Sequence, residues 1–185
     1  MPPKSKYTRE QIIDIAFEMV RSEGMEILTA RNLASKLKTS TAPIFTAFQT
    51  IEELQTEVIN KAKKLYKEYI DEGLKEEPAF KGVGIKYIEF AKDEPKLFNL
   101  LFMSGDSIEK FSHFMPQNDE NAPMILDLIK NSYNLDFDKA KKLYNHLSVY
   151  THGLAVLYAQ GSWVFTDEDI SKMLSEIFIA LMKGE

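Results

Sequence analysis

The sequence predicts an all-α protein of about nine helices: an N-terminal three-helix head with a helix-turn-helix layout, then a larger helical body. Apolar residues recur at helical spacing along most of the 185 residues, and no stretch alternates with period two between turn residues. Residues 29–54 read T-A-R-N-L-A-S-K-L-K-T-S-T-A-P-I-F-T-A-F-Q-T-I-E-E-L, two short helical patterns around a tight connection with a third helix starting directly after. Threonine, serine and proline precede the apolar patterns as helix starts, and there is no internal repeat.

The first helix starts at the capping box Thr8-Arg9-Glu10-Gln11 and carries Ile12, Ile13, Ala16, Phe17 and Val20 at helical spacing. Gly24 is placed to end it. Thr29 caps the second helix, whose apolar face is Leu28, Leu33, Ala34 and Leu37; Lys38 and Thr39 interrupt that face. Ser40 is placed to cap the third, with Ile44, Phe45 and Phe48 as its buried face. Pro43 falls in its first turn, where a missing N–H costs least. A second capping box, Thr50-Ile51-Glu52-Glu53, opens a long helix through Leu54, Val58, Leu65 and Tyr69 to about Asp71. Glu57/Lys61 and Lys64/Glu68 are spaced to pair along it.

Pro78 opens a helix carrying Val83, Tyr87, Ile88 and Phe90, and Pro95 starts a short apolar one, Lys96 to Met103. Residues 104–121, with Gly105 and Pro116, read as a loop with a helical turn. Helices at 122–132, 137–159 and 167–183 complete the chain, the last preceded by Thr166 and carrying three acids in its first turn. The expected domains are a head over residues 1–50 and a body over 51–185.

Composition narrows the function classes. A hydrophobic fraction of 44% with 28% charged residues fits an ordinary globular protein. With no cysteine there is no disulfide or thiolate chemistry, which is compatible with a reducing cytosol, so a cytoplasmic protein is expected. The start M-P-P-K-S-K has no apolar core, so no secretory signal is read, and the run from Gly153 to Phe165 is too short to span a bilayer. Residues 1–50 hold seven basic against five acidic residues, a net of +2; the rest holds sixteen against twenty-three, a net of −7. A mildly basic head thus precedes an acidic body, the distribution a duplex-binding surface needs. There is no G-x-S-x-G, no phosphate-binding loop and no glycine-rich dinucleotide turn. His113, His146 and His152 do not stand at metal-ligand spacing. No catalytic residue, metal or cofactor is expected, and the protein is not read as an enzyme.

The head resembles the DNA-binding head of TetR-family transcriptional regulators. Gly24, Thr29, Ala34, Thr39-Ser40, Ile44-Phe45, Phe48 and Glu52-Glu53-Leu54 match that pattern in type and spacing. The match covers about 30% of the chain; beyond it the resemblance is one of length, helix order and a His152-Gly153-Leu154 segment similar to one subgroup. Three positions depart. The usual tyrosine is Phe45, so a hydroxyl that typically meets a phosphate is missing; the usual histidine is Ala47; and the usual glycine of the turn is Lys38. That last position often needs a positive φ, which costs a residue with a Cβ about 1 kcal/mol or more.

The resemblance implies a repressor that binds operator DNA as a homodimer and responds to a small molecule. In the recognition helix Thr41 and Thr46 are candidates for hydrogen bonds to base edges, and Ala42 for a thymine methyl; Phe45 is included in the same face. Lys6, Thr29, Lys36, Lys38 and Ser40 are candidates for phosphate contacts. For the apolar or amphipathic effector that the resemblance implies, Phe98, Phe102, Tyr150, His152 and Tyr158 are the candidate walls. Leu154, Leu157, Met173, Leu174, Ile177, Phe178 and Leu181 exceed what one face of a small core needs and are assigned to a dimer interface between the last two helices and their copies. Two other readings stay open: a helical-bundle enzyme or binding protein whose head has lost DNA binding, and a helix-turn-helix protein controlled by a protein partner.

Overall fold

A computed structural model describes residues 7–103, 122–162 and 165–183. Lys6 and the segment 104–121 lie outside the described residues. The described chain contains nine α-helices and no strand: α1 (Arg9–Glu23), α2 (Ala30–Lys36), α3 (Ala42–Ala47), α4 (Ile51–Gly73), α5 (Ala79–Asp93), α6 (Pro95–Phe98, continued by a π turn Asn99–Met103), α7 (Ala122–Tyr133), α8 (Phe137–Ala159) and α9 (Asp167–Lys183). A single 3-10 turn, Met25–Ile27, joins α1 to α2. Among the described residues no helix is long and apolar enough to cross a membrane.

Contacts divide the chain within α4 into Met1–Leu65 and Tyr66–Glu185. The first unit therefore takes in the early turns of α4 as well as the three head helices, and ends later than residue 50. The reason is burial plus charge. Leu54, Val58 and Ala62 of α4 are fully buried in this unit with Ile12, Ala16, Val20, Leu33 and Ile44. Arg9 of α1 donates to Glu53 at 3.1 Å and to Glu57 at 2.7 Å, and its guanidinium lies 4.6 Å from the Phe48 ring centroid. Lys61 pairs with Asp14 and stands 5.0 Å from the Phe17 ring. Glu57 and Lys61, spaced to pair with each other, thus pair across to α1 instead.

Local caps account for the helix boundaries. Thr8 and Gln11 form the reciprocal box that starts α1, and Gly24 ends it at φ 99°. Thr29 accepts from the Asn32 N–H at 3.2 Å to start α2. At α4 the Glu53 N–H donates to the Thr50 hydroxyl, while the Glu53 carboxylate turns back to the Gln49 N–H at 2.7 Å. That backbone donor, and then Arg9, hold the Glu53 carboxyl below its usual range. Asp136 caps α8, and Thr166 with Asp169 forms a two-way cap on α9.

Three helices end in the same six-residue closure. For α2, the Thr39 N–H donates to Ala34 O and the Lys38 N–H to Ser35 O. Lys38 takes the left-handed conformation this demands, at φ 52°. Asn134 ends α7 and Gly161 ends α8 in the same way, at φ 50° and 65°.

The second unit has a core of Ile70, Val83, Ile125, Leu126, Ile129, Ala140, Leu143, Tyr144 and Leu147. Ile177, Phe178 and Leu181 of α9 are half-buried against it. An aromatic group borders this core: Tyr66, Tyr87, Phe90, Phe98 and Phe102 meet at ring separations of 5.1–6.0 Å, mostly edge to face.

Candidate nucleic-acid interface and body cavity

The head presents α3 on a buried footing. Ile44 and Phe48 face the core, while Thr41, Ala42, Phe45 and Thr46 are exposed. Phe45, expected on the buried face with Ile44, is instead 49% exposed, because a six-residue helix anchored at 44 and 48 turns position 45 outward. Ser40 is not the cap of α3. Thr41 holds that place with φ −73° and no side-chain capping bond, and Ser40 lies exposed in the turn before it. Thr29 is engaged as the cap of α2, and Thr46 donates its hydroxyl proton to the Ala42 carbonyl at 2.9 Å. Arg31, Lys36 and Lys38 are exposed and, among the described residues, form no ion pair. The acids Asp14, Glu53 and Glu57 are occupied by Lys61 and Arg9. Tyr7 ties the start of the described chain to this region, its hydroxyl donating to the Leu37 carbonyl at 2.9 Å.

Lys38 is a candidate phosphate contact held in a left-handed conformation, and Lys38→Gly should separate the charge from the strain. Relief of the left-handed strain should raise unfolding stability by about 1 kcal/mol. Loss of the cation should lower duplex affinity and reduce the salt slope by about one. Urea unfolding and salt-dependent binding isotherms check the pair of signs; a variant unchanged in salt slope places Lys38 away from phosphate.

In the body a cavity of about 270 Å³ opens between α5, α8 and α9, closed further by Tyr66 of α4 and by α7. Each long helix contributes one stripe at helical spacing: Phe80, Lys81, Gly84 and Tyr87 from α5, Tyr144, Leu147, Ser148 and Thr151 from α8, and Leu174, Ser175, Phe178 and Ile179 from α9. The wall is largely apolar, with hydroxyls set into it. The Ser148 and Thr151 hydroxyls have no hydrogen-bond partner among the described residues, and Lys81 has no ion-pair partner there. An apolar body with one anionic or acceptor end fits such a lining.

None of Phe98, Phe102, Tyr150, His152 or Tyr158 lines this cavity. Phe98 is fully buried in the aromatic group with Phe102, and the Tyr158 hydroxyl bonds the Phe165 backbone at 2.6 Å and 2.9 Å. His152 stands one hydrogen bond behind the wall, its Nδ1 2.8 Å from the hydroxyl of Tyr87. Aromatic density singled out the filled core; the readable signal for the cavity was hydroxyl and glycine residues inside otherwise buried helical faces, Ser148, Thr151 and Gly84. Among the described residues no group of three His, Cys, Asp or Glu side chains could hold a metal ion.

Burial pushes the His152 imidazole below its ordinary value. The unfolded chain therefore binds a proton at a higher pH than the folded one. Stability should fall as pH drops through about 6.5 and continue falling until the folded imidazole titrates. The Glu53 and Asp169 carboxyls, held low by hydrogen bonds, add their loss only below the usual carboxylate range. Thermal melting from pH 7.5 to 5 should show this acid sensitivity in the native chain and lose it in His152→Phe.

The dimer set also divides. Leu154 and Leu174 are 5% and 6% exposed, buried within the chain, so they cannot gain from a partner. Leu157 and Met173 are half-buried, as are Ile177, Phe178 and Leu181. Val149 and Ile179, outside the expected set, are 53% and 49% exposed. Val149, Gly153 and Leu157 form one stripe on α8, and a Cβ at Gly153 would meet no atom within 4 Å.

No protein-family model and no curated protein sequence matches the chain. Solved structures do. A TetR-like transcriptional regulator from a Rhodococcus species aligns over 96% of this chain and 97% of its own, with a TM-score of 0.70 at 14% identity. A TetR/AcrR-family regulator from Thermobifida fusca aligns over 92% and 95%, with a TM-score of 0.60 at 13% identity. Over nearly its whole length the chain has the all-helical fold of these TetR-like regulators.

Proposed function

We propose that the protein is a dimeric, ligand-responsive DNA-binding transcriptional regulator, a repressor released from its operator by a small amphipathic molecule. The observation that carries the reading is the head: a helix-turn-helix with an exposed α3, preceded on α2 and its turn by the exposed cations Arg31, Lys36 and Lys38, which form no ion pair among the described residues, in a chain of net charge −5. Phosphate contacts need local positive charge, and an acidic body does not remove it.

The second half of the reading rests on α4. This helix starts four residues after α3 ends and is continuous in sequence to Tyr66, which lines the cavity. Dimerisation is assigned to α8 and α9 through Val149, Gly153, Leu157 and Ile179, with the exposed glycine admitting close approach of a partner helix. A twofold pair would present two α3 helices about 34 Å apart for successive major grooves.

Band shifts on the chain's own upstream DNA over a salt series test the reading, with sedimentation in parallel. Salt-dependent, sequence-selective binding by a dimer is the expected result. A folded protein that binds no duplex at low salt points instead to a helical binding protein, and a monomer at micromolar concentration removes the paired recognition helices.

A further inference from the structure

We propose that α3 selects A·T base pairs by apolar contact with thymine methyl groups, rather than by hydrogen bonds to base edges. The inference rests on the duplex-binding reading above and specifies what that site recognises.

The exposed face of α3 carries no charged and no amide side chain. The whole helix is Ala42, Pro43, Ile44, Phe45, Thr46 and Ala47, with Thr41 before it, and of these Ile44 is buried. Guanine is read by arginine or lysine, adenine by asparagine or glutamine, and cytosine by acids. None of these is on the helix. Gln49, the first amide after the helix, lies beyond its end, with its backbone N–H held by Glu53 at 2.7 Å. Thr46, the one hydroxyl within α3, has its proton engaged by the Ala42 carbonyl at 2.9 Å.

What the helix offers is a methyl at Ala42, a methyl at Thr46 and the half-exposed ring of Phe45. The major groove has one apolar feature, the C5 methyl of thymine. Pressed on a G·C pair, the same ring would cover the guanine N7 and O6 acceptors and the cytosine amino donor without replacing their water bonds. An exposed aromatic could equally sit in an apolar groove of a protein partner. The unpaired Arg31, Lys36 and Lys38 beside α3 argue for a polyanion instead.

The test starts from a random library of duplexes selected on the full-length protein. Enriched sites should hold thymines in two half-sites. Replacing those thymines by deoxyuracil deletes only the methyls and should weaken binding about fourfold per contacted methyl, more than tenfold for a full site. Phe45→Ala should keep its thermal melting point and its salt slope, yet bind the thymine and deoxyuracil sites more nearly alike than the native chain does. G·C-rich enriched half-sites, or deoxyuracil sites bound as well as thymine sites, overturn the inference and leave duplex binding standing. Binding with no enriched sequence also overturns it. No salt-dependent binding to any duplex overturns the duplex reading along with it.

Discussion

Gly82→Ala is expected to destabilise the body by about 3 kcal/mol, at the upper end of what overpacking costs, while Gly84→Ala on the same helix is neutral or stabilising. The two glycines are two residues apart on α5 and differ in what lies over them. A Cβ on Gly82 would stand 2.3 Å from the Gly73 carbonyl oxygen and 2.5 Å from the Glu76 Cβ. A Cβ on Gly73 would in turn stand 2.7 Å from the Gly82 carbonyl oxygen. The end of α4 and the start of α5 therefore touch backbone to backbone, and neither a carbonyl oxygen nor the Glu76 Cβ, fixed by its own main chain, can rotate away. At Gly84 the nearest atoms are Leu174 Cδ1 at 3.6 Å and Thr151 Oγ1 at 3.8 Å, ordinary contact. There alanine removes the entropic penalty of a helical glycine, worth about 0.5–1 kcal/mol. Urea unfolding with unchanged slope should give opposite signs for the two variants. Equal destabilisation would mean that α5 tolerates an added Cβ at neither position.

The same contrast shows which parts of the fold are legible in sequence. Caps and periodicity are local, so Thr8, Gly24, Thr29, Pro78, Pro95 and Thr166 mark helix ends correctly from their neighbours alone. The positive φ of Lys38 is also local: a closure in which Thr39 and Lys38 bond back to Ala34 and Ser35 leaves no other conformation. Pairings between elements are not local. Glu57 and Lys61 suit each other at four residues, yet Arg9 and Asp14 of α1 take them, because α1 packs along the early turns of α4. The wall of the cavity was hidden for the opposite reason. Phe98, Phe102 and His152 have the composition of a ligand site, but they pack against one another, and the void lies where Gly84, Ser148 and Thr151 are too small to close it. Sequence identifies large side chains readily and empty volume poorly.

Gly84→Leu should abolish the ligand response while leaving duplex binding intact. Glycine at this position keeps the α5 wall of the cavity open, and the space above it is bounded by Leu174 and Thr151. An isobutyl group there occupies the volume the ligand would take. The probes are saturated straight-chain carboxylates and the alcohols of the same length. Native protein should bind the carboxylates more tightly, because the unpaired Lys81 at the wall meets the acid end; Lys81→Met should erase about tenfold of that preference. Binding should weaken operator affinity 5- to 150-fold, the span of about 1–3 kcal/mol of coupling. The coupling requires that α4 take a different position with ligand present, since a ligand with equal affinity for both states shifts neither. In Gly84→Leu, probe binding should drop at least tenfold and operator affinity should match the native chain without ligand. A variant that still binds the probes normally would falsify the cavity as their site. Tight probe binding to the native chain with unchanged operator affinity would keep the site and remove the switch.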